Sequence, residues 1–207
     1  MRTQFKPGFV EEVRLTGEVQ QEVVSRPVID LPIPEVTTSL FYSCWSFVMN
    51  LTFGLIGLAA MLIILPVMAL IISIDSPGPV FYIQERLGRK GKPFRMYKFR
   101  SMALVADDTK NTSLTIINDP RVTRVGHFLR TCHLDELPQV INILRGEMSL
   151  VGPRPELPEC SATLECLIPT YCHRLEVKPG LTGWTQVMYH YGNGDVEDEE
   201  IKLGLDL

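Results

Sequence analysis

The 207-residue sequence lacks several patterns that would assign it to a common protein class. It has no internal repeat, no glycine-rich dinucleotide-binding fingerprint and no P-loop, which excludes repeat proteins and the nucleotide folds built on those motifs. Its five cysteines are an odd number with no CxxC pair, and its four histidines are scattered. These counts favour free thiols in a reducing cytoplasm and argue against both a disulfide framework and a zinc site.

Charge is missing from one long stretch of the chain. Between Glu35 and Asp75 there is no charged residue, and the densest apolar part runs from Phe53 to Ile74. A helix of roughly 20 residues crosses a ~30 Å hydrocarbon core, so we predict a membrane helix over residues 40–75. A signal peptide is disfavoured, because the run begins about 40 residues into the chain and lacks both a basic n-region and a small-residue cleavage site. Two topologies stay open, a full span and a re-entrant hairpin, and Pro66 favours a kink inside the run.

The net charge of −4 is unevenly distributed. Residues 1–39 hold four bases and six acids, which predicts a polar, weakly ordered lead-in. Residues 75–102 hold seven bases and two acids. This block is expected on the cytoplasmic side, facing lipid headgroups, a nucleotide or both. Within it, Lys98 and Arg100 alternate along a predicted strand and would share one face, which would meet phosphate or the membrane surface.

The rest of the chain predicts a small α+β domain. Residues 80–83 and 94–99 are typical of short strands joined by a GRKGKP turn. Residues 119–130 and 136–144 carry apolar side chains at helical spacing, and a glycine follows where the second helix would end. The polar residues 103–114, which lie between the second strand and the first of these helices, predict a mobile loop.

An adjacent acid pair, Asp135-Glu136, is the strongest candidate for chemistry. Pro138 fits only the first turn of a helix, so the pair lies at a helix N-terminus. Such acids commonly do no more than cap a helix and complement its dipole. Here, however, the pair lies between Arg130 and Arg154. A carboxylate flanked by guanidinium groups suits chemistry on phosphate, because arginine grips phosphate oxygens while the carboxylate acts as a nucleophile or holds a divalent ion.

Three segments together resemble one known family. They are SPGPVFYIQERLGRKGKPFRMYKFRSM at 76–102, RTCHLDELPQVINILRGEMSLVGPRPE at 130–156 and KPGLTGW at 178–184. In this order they resemble the bacterial sugar transferases, which are monotopic polyprenyl-phosphate phosphoglycosyl transferases. The resemblance implies a membrane-embedded, re-entrant N-terminal helix. It also implies a small, mainly helical cytoplasmic catalytic domain with a short β-hairpin, residues 76–207, which we expect to be truncated at its C-terminus.

The resemblance also implies a chemistry. Asp135 would be the nucleophile that attacks a UDP-sugar, releasing UMP and forming an aspartyl-phosphosugar, and Glu136 would support it. Arg130, Arg154 and Lys178 would bind the phosphates, and Mg²⁺ or Mn²⁺ would be held by Asp135. The expected acceptor is a polyprenyl (undecaprenyl) phosphate in the bacterial inner membrane, in the synthesis of exopolysaccharide or another surface glycan. Other glycan-assembly enzymes are expected partners; nucleic acid is not.

The chain departs from the family pattern inside the membrane helix. Where the family has a Lys-Arg pair and an aspartate, this chain has Ser46, Phe47 and Asn50, and its helix break would fall at Leu65-Pro66. Such changes leave an alternative of a different class. The protein would then be a catalytically impaired, membrane-anchored relative, or a fragment, that acts as a scaffold for glycan assembly.

Overall fold

The computed structural model describes residues 39–103, 119–168, 170–189 and 196–206. The predicted lead-in, apart from its last residue, and nearly all of the predicted mobile loop lie outside these residues. The helices are α1 (Leu40–Asp75), α2 (Arg124–Thr131), α3 (Val140–Leu144), α4 (Pro158–Leu167), α5 (Trp184–Met188) and α6 (Val196–Asp206). The strands are β1 (Phe81–Leu87), β2 (Pro93–Phe99), β3 (Ser149–Val151) and β4 (Gly180–Thr182). Short 3-10 helices cover Arg89–Gly91, Leu134–Gln139 and Tyr171–Glu176. This mixture of helices with two small sheets confirms the α+β class.

Helix α1 is a single apolar helix of 36 residues. Among the described residues it is the one helix long and apolar enough to cross a membrane by length and composition. Its large side chains are mostly exposed, including Phe41, Trp45, Phe47 and Ile63. Such a surface is unfavourable in water and suits a lipid environment. Helix α1 is therefore a candidate membrane anchor.

Helix α1 continues through Pro66, where we expected a break. Proline removes only one backbone hydrogen bond. Leu65 and Met68, on either side of it, pack against the core cluster that contains Met61 and Ile72, so tertiary packing supports the helical backbone there. A helix can bend at a proline without ending. The choice between a re-entrant and a spanning topology therefore stays a prediction.

Two glycines bring α1 into close contact with α3. A Cβ atom on Gly54 would lie 2.7 Å from Leu144 Cδ2, and one on Gly57 would lie 2.6 Å from Val140 Cγ1. Both distances are shorter than ordinary van der Waals contact, so a larger residue at either position would force Leu144 or Val140 to shift. The catalytic-domain candidate is thus packed directly on the membrane-helix candidate.

Asn50 also joins α1 to the domain. Its side-chain oxygen accepts hydrogen bonds from the Leu150 amide at 2.8 Å and from the Ser149 hydroxyl at 3.2 Å. Both donors belong to β3, which starts the segment that carries Arg154. Asn50 therefore provides a hydrogen-bond acceptor that links α1 to the domain.

The predicted hairpin is confirmed. Strands β1 and β2 pair antiparallel from Phe81 opposite Phe99 to Leu87 opposite Pro93, so β1 begins one residue later and ends four residues later than predicted. The connecting turn uses left-handed backbone at Lys90 and Gly91. The glycines and proline of the GRKGKP turn between two strand-like segments therefore sufficed to predict this element.

The two predicted helices around the acid pair are shorter than expected. Helix α2 begins only at Arg124, because the Thr123 hydroxyl caps it by accepting a hydrogen bond from the Gly126 amide. The predicted helix 136–144 is two elements, the 3-10 helix Leu134–Gln139 and α3. Pro138 lies within the 3-10 helix. Helix α3 ends at Leu144, and Gly146 follows in the left-handed conformation, as the sequence predicted.

A second sheet joins distant parts of the chain and was not predicted. Strands β3 and β4 pair parallel, with Ser149 opposite Gly180 and Val151 opposite Thr182. Close approach requires glycine here, since a Cβ on Gly180 would lie 2.1 Å from the Gly152 nitrogen. The sheet brings the GPRPE and KPGLTGW motifs side by side.

Candidate active site

The acid pair lies on the 3-10 helix Leu134–Gln139, between α2 and α3. His133, in the left-handed conformation, turns the chain sharply before it. Asp135 is only 7% exposed, which is low for a charged residue. The pair is therefore held in a compact turn that packs against β2 and α2, and it does not extend into solvent like an ordinary helix cap.

Glu136 is the centre of an ion-pair network. Its Oε1 atom lies 3.0 Å from Lys98 Nζ and 3.4 Å from Arg154 Nη2. Lys98 comes from β2, and Arg154 comes from the segment that follows β3. Three distant parts of the sequence thus meet at one carboxylate.

A small cleft opens beside this network, with about 220 Å³ of open space. Its apolar lining includes Met96 and Leu181. Its polar lining consists of Arg86, Lys98, Glu136, Gln139, Arg154 and Gln186. Three of these six side chains are cationic, which suits an anionic ligand such as a phosphate group.

The two carboxyl groups of the pair have opposite pKa shifts. Burial raises the pKa of Asp135, and the neighbouring Glu136 charge adds to this, while Lys98 and Arg130 oppose it. Burial alone would also raise the pKa of Glu136, but Lys98 and Arg154 outweigh it, so that pKa lies below its usual range. Burial lowers the pKa of Lys98 despite the attraction of Glu136. Neighbouring carboxyls with divergent pKa values are typical of functional sites.

The predicted phosphate-binding residues lie at different distances from the cleft. Arg154 lines it. Arg130 lies close enough to Asp135 to lower its pKa, and its Nε donates to the Ser101 hydroxyl at 2.9 Å. Lys178 is not among the lining residues; its ammonium lies 3.5 Å from where a Cβ on Gly146 would be, beyond the end of α3. The structure therefore brings Asp135, Glu136, Arg130 and Arg154 together and leaves Lys178 at the side.

The prediction that Lys98 and Arg100 share one face of a strand is wrong. Strand β2 ends at Phe99, so the alternation does not continue to Arg100. The Arg100 guanidinium is buried and donates to the carbonyl oxygens of Ser76 at 2.6 Å and Pro77 at 2.8 Å. It fixes the chain leaving α1, whereas Lys98 alone faces the acid pair.

Sequence reasoning missed Arg86 and Gln186. In the hairpin register, Arg86 pairs with Phe94 and Tyr82 with Lys98. Arg86 and Lys98 therefore lie on the same face, each two residue pairs from the pair that contains Met96. The correct register would have revealed Arg86 from the sequence. Gln186 gave no local signal, because the β3–β4 pairing brings it to the cleft.

The donor set fits a divalent ion held mainly by a substrate. Among the described residues, no group of three or more acidic, histidine or cysteine side chains could form a protein-only site. Mg²⁺ usually binds one or two carboxylates together with water and substrate phosphates. Asp135 could supply such a carboxylate, since Glu136 is already engaged by two cations.

Comparisons with known proteins agree with this geometry. The model of the family described as bacterial sugar transferase matches residues 41–207. The chain is 47% identical over 151 residues to the UDP-glucose:undecaprenyl-phosphate glucose-1-phosphate transferase of Escherichia coli (strain K12), covering 71% of this chain and 32% of that protein. It is 43% identical over 135 residues to the UDP-N-acetylgalactosamine-undecaprenyl-phosphate N-acetylgalactosaminephosphotransferase of Aeromonas hydrophila, covering 65% of this chain and 31% of that protein.

A third relative is closer to this chain in length. The exopolysaccharide production protein PSS of Rhizobium leguminosarum bv. phaseoli is 43% identical over 137 residues, which cover 63% of this chain and 68% of that protein. By contrast, the chain spans about a third of the length of the Escherichia coli and Aeromonas proteins. The family match covers the membrane-helix candidate, the hairpin, the acid pair and the cleft. The chain therefore belongs to the bacterial sugar transferase family.

Proposed function

We propose that the protein transfers a sugar-1-phosphate from a UDP-sugar to a polyprenyl phosphate, releases UMP, and thereby starts the synthesis of exopolysaccharide or another surface glycan. The observation that carries this proposal is the buried Asp135 carboxyl beside Glu136, which is paired with Lys98 and Arg154 at a cationic cleft. Two of the similar proteins, from Escherichia coli and Aeromonas hydrophila, are named for this type of transfer. The sugar itself is left open.

The first step is attack by an Asp135 oxygen on the phosphorus atom attached to the sugar. The bond from that phosphorus to the bridging oxygen breaks, and UMP leaves with the electron pair. Burial raises the free energy of the Asp135 carboxylate, which makes it a better nucleophile once it is ionised. Arg130 and Arg154 bind the phosphate oxygens of the donor and offset their negative charge, so that the carboxylate can approach.

The second step regenerates the carboxylate. A phosphate oxygen of the polyprenyl phosphate attacks the phosphorus of the aspartyl-phosphosugar, and the bond to Asp135 breaks. Two half-reactions let a soluble donor and a lipid acceptor use one small cleft in turn. Glu136 pairs closely with Lys98 and more loosely with Arg154, and Lys178 is retained only as a peripheral phosphate ligand.

A divalent ion, Mg²⁺ or Mn²⁺, would neutralise the diphosphate charge when bound with the donor. Asp135 would hold it, as the donor set allows. The protein's own cations are few for a diphosphate and a carboxylate together. We therefore expect the ion to be required for turnover and to bind weakly to the protein alone.

The membrane helix gives the proposal its location. Helix α1 would anchor the protein in the bacterial inner membrane, with the acid pair on the cytoplasmic face. The packing of Gly54 and Gly57 on α3 keeps the site next to this helix. A lipid-linked acceptor could thus reach Asp135 without leaving the membrane.

The test is UMP release by purified protein in detergent from a panel of UDP-sugars, with and without undecaprenyl phosphate. We expect sustained UMP release from at least one donor and only when the acceptor is present, and none from the Asp135→Asn variant. Absence of acceptor-dependent UMP release from every donor would overturn the proposed activity. That result would favour the scaffold alternative. A scaffold role, however, does not explain why ion pairs are assembled at Glu136.

A further inference from the structure

The segment that carries Arg154 is held along its whole backbone. Each of its four successive carbonyl groups, at residues 153–156, accepts a hydrogen bond. The donors are, in order, the Gly180 amide at 2.8 Å, the Arg174 guanidinium at 3.4 Å, the Arg86 guanidinium at 3.1 Å and the Leu87 amide at 2.9 Å. Satisfying every carbonyl of a segment without regular structure fixes its path tightly.

Arg174 is the side chain that connects this segment to the C-terminal helix α6. Its side chain is only 4% exposed. Nη1 lies 3.2 Å from the Glu156 carboxylate, and Nη2 lies 2.8 Å from the Asp206 carboxylate. The guanidinium also lies over the Tyr171 ring, 4.9 Å from its centre. Two carboxylates, one on each side, thus orient the fork that holds the Arg154 carbonyl.

Arg154 depends on this support. Its side chain is 50% exposed, and its contact with Glu136 is 3.4 Å, so side-chain contacts hold it only loosely. Pro153 and Pro155 on either side have fixed φ angles. The backbone of the segment therefore determines where the Arg154 guanidinium lies in the cleft. A displacement of about 1 Å at such a group is enough to lower activity strongly.

Arg174 itself is not among the residues that line the cleft. It lines a second small cavity together with Arg154 and Glu156. Its contact with the Arg154 carbonyl is the route by which it would affect a donor bound in the cleft. Asp206 is held in turn by the Thr185 hydroxyl, one residue after the start of α5. The network thus joins α5, α6 and the Arg154 segment through buried, charged hydrogen bonds, which are stronger and more directional than neutral ones.

We propose that Arg174, oriented by Asp206, is a positioning residue that sets the Arg154 guanidinium for the diphosphate of the donor. This inference rests on the proposed function. A residue that only supports the fold would change the fraction of active protein and hence kcat. A residue that positions a donor-binding group changes the KM for the donor and leaves the KM for the acceptor unchanged.

The first test compares three variants by steady-state kinetics. Arg174→Lys keeps the charge but loses the fork, and Asp206→Asn loses only the orienting charge. The matched control is Arg89→Lys, because Arg89 Nε donates to the Glu176 carbonyl at 2.9 Å and so supports the 3-10 helix that carries Arg174 without touching residues 153–156. We expect the donor KM to rise about tenfold in the first two variants and less than about twofold in the control.

The second test is a double-mutant cycle with Arg154→Ala. If Arg174 acts through Arg154, adding Arg174→Lys to Arg154→Ala should change the donor KM less than about twofold, far below its effect in the wild-type background. If the two substitutions raise the donor KM independently, so that their factors multiply in the double variant, the inference is overturned. So would an unchanged donor KM with a lowered kcat in both Arg174→Lys and Asp206→Asn.

These outcomes are separable from failure of the proposed function. If the wild-type protein releases no UMP from any donor, the proposed activity fails, and hydrogen exchange then tests the positioning directly. Arg174→Lys should speed exchange of the Leu87 and Gly180 amides, which donate to the Glu156 and Pro153 carbonyls, whereas Arg89→Lys should not. Equal exchange in both variants would overturn the positioning role by itself.

Discussion

The acid pair should respond to neutralisation with opposite changes in stability. Burial raises the pKa of Asp135, so its ionised form destabilises the folded protein at neutral pH. Removing this buried charge with Asp135→Asn should therefore raise the free energy of unfolding by on the order of 1 kcal/mol, the usual size of a single-residue effect. For a chain of this size, that is an increase in Tm of about 2–4 °C.

Glu136→Gln should do the reverse. Its lowered pKa means that the ionised form stabilises the folded state. The substitution removes the negative partner of Lys98 at 3.0 Å and of Arg154 at 3.4 Å. Lys98 is only 16% exposed, so it is left as a largely buried, unpaired cation. We expect a loss of roughly 2 kcal/mol and a decrease in Tm of about 4–8 °C.

The pH dependence of these stability changes distinguishes them from changes in packing. The gain from Asp135→Asn should disappear as pH falls through the raised pKa of Asp135 and into the ordinary carboxyl range, because the wild-type group is then protonated in both states. The loss from Glu136→Gln should shrink as pH falls through the lowered pKa of Glu136. The assay is thermal unfolding in one detergent across pH, with Glu176→Gln as the control, since Glu176 is an exposed partner of His173. A lower Tm for Asp135→Asn at neutral pH would refute this reasoning.

Two further predictions concern the ion and the membrane. Turnover should stop after EDTA treatment and return with Mg²⁺ or Mn²⁺, measured as UMP release; undiminished turnover would assign charge neutralisation to the protein's cations alone. Single cysteines at Ser25 and at Lys92, an exposed position in the hairpin turn, in a background without the native five, should both resist a membrane-impermeant thiol reagent in intact cells. Labelling at Ser25 alone would indicate a spanning helix, and Pro66→Leu should shift the protein towards that result.

Local features of the fold were predictable from the sequence. The β1–β2 hairpin follows from a turn between two strand-like segments within 19 residues, Phe81 to Phe99. The stop of α3 before Gly146 follows from backbone preference alone. The membrane-helix candidate follows from length and composition. In each case the deciding interaction lies close along the chain.

Features that depend on distant pairing were not predictable in the same way. Strands β3 and β4 have three residues each, too short for an alternation signal, yet their pairing brings Gln186 to the cleft. Arg100 carries the same sequence pattern as Lys98, but the strand ends between them, so one binds backbone carbonyls and the other Glu136. The Arg174–Asp206 ion pair joins residues 32 positions apart. The sequence predicted the acid pair, but not most of the side chains that surround it.

The most direct test of the proposed two-step transfer is made without the lipid acceptor. Purified protein mixed with a UDP-sugar that it uses, and no polyprenyl phosphate, should release UMP in a single burst equal in amount to the protein. Mass spectrometry after rapid quenching should then find one sugar-phosphate on the peptide that contains Asp135, and neither signal with Asp135→Asn. Turnover with acceptor but no burst and no adduct without it would contradict an aspartyl-phosphosugar intermediate.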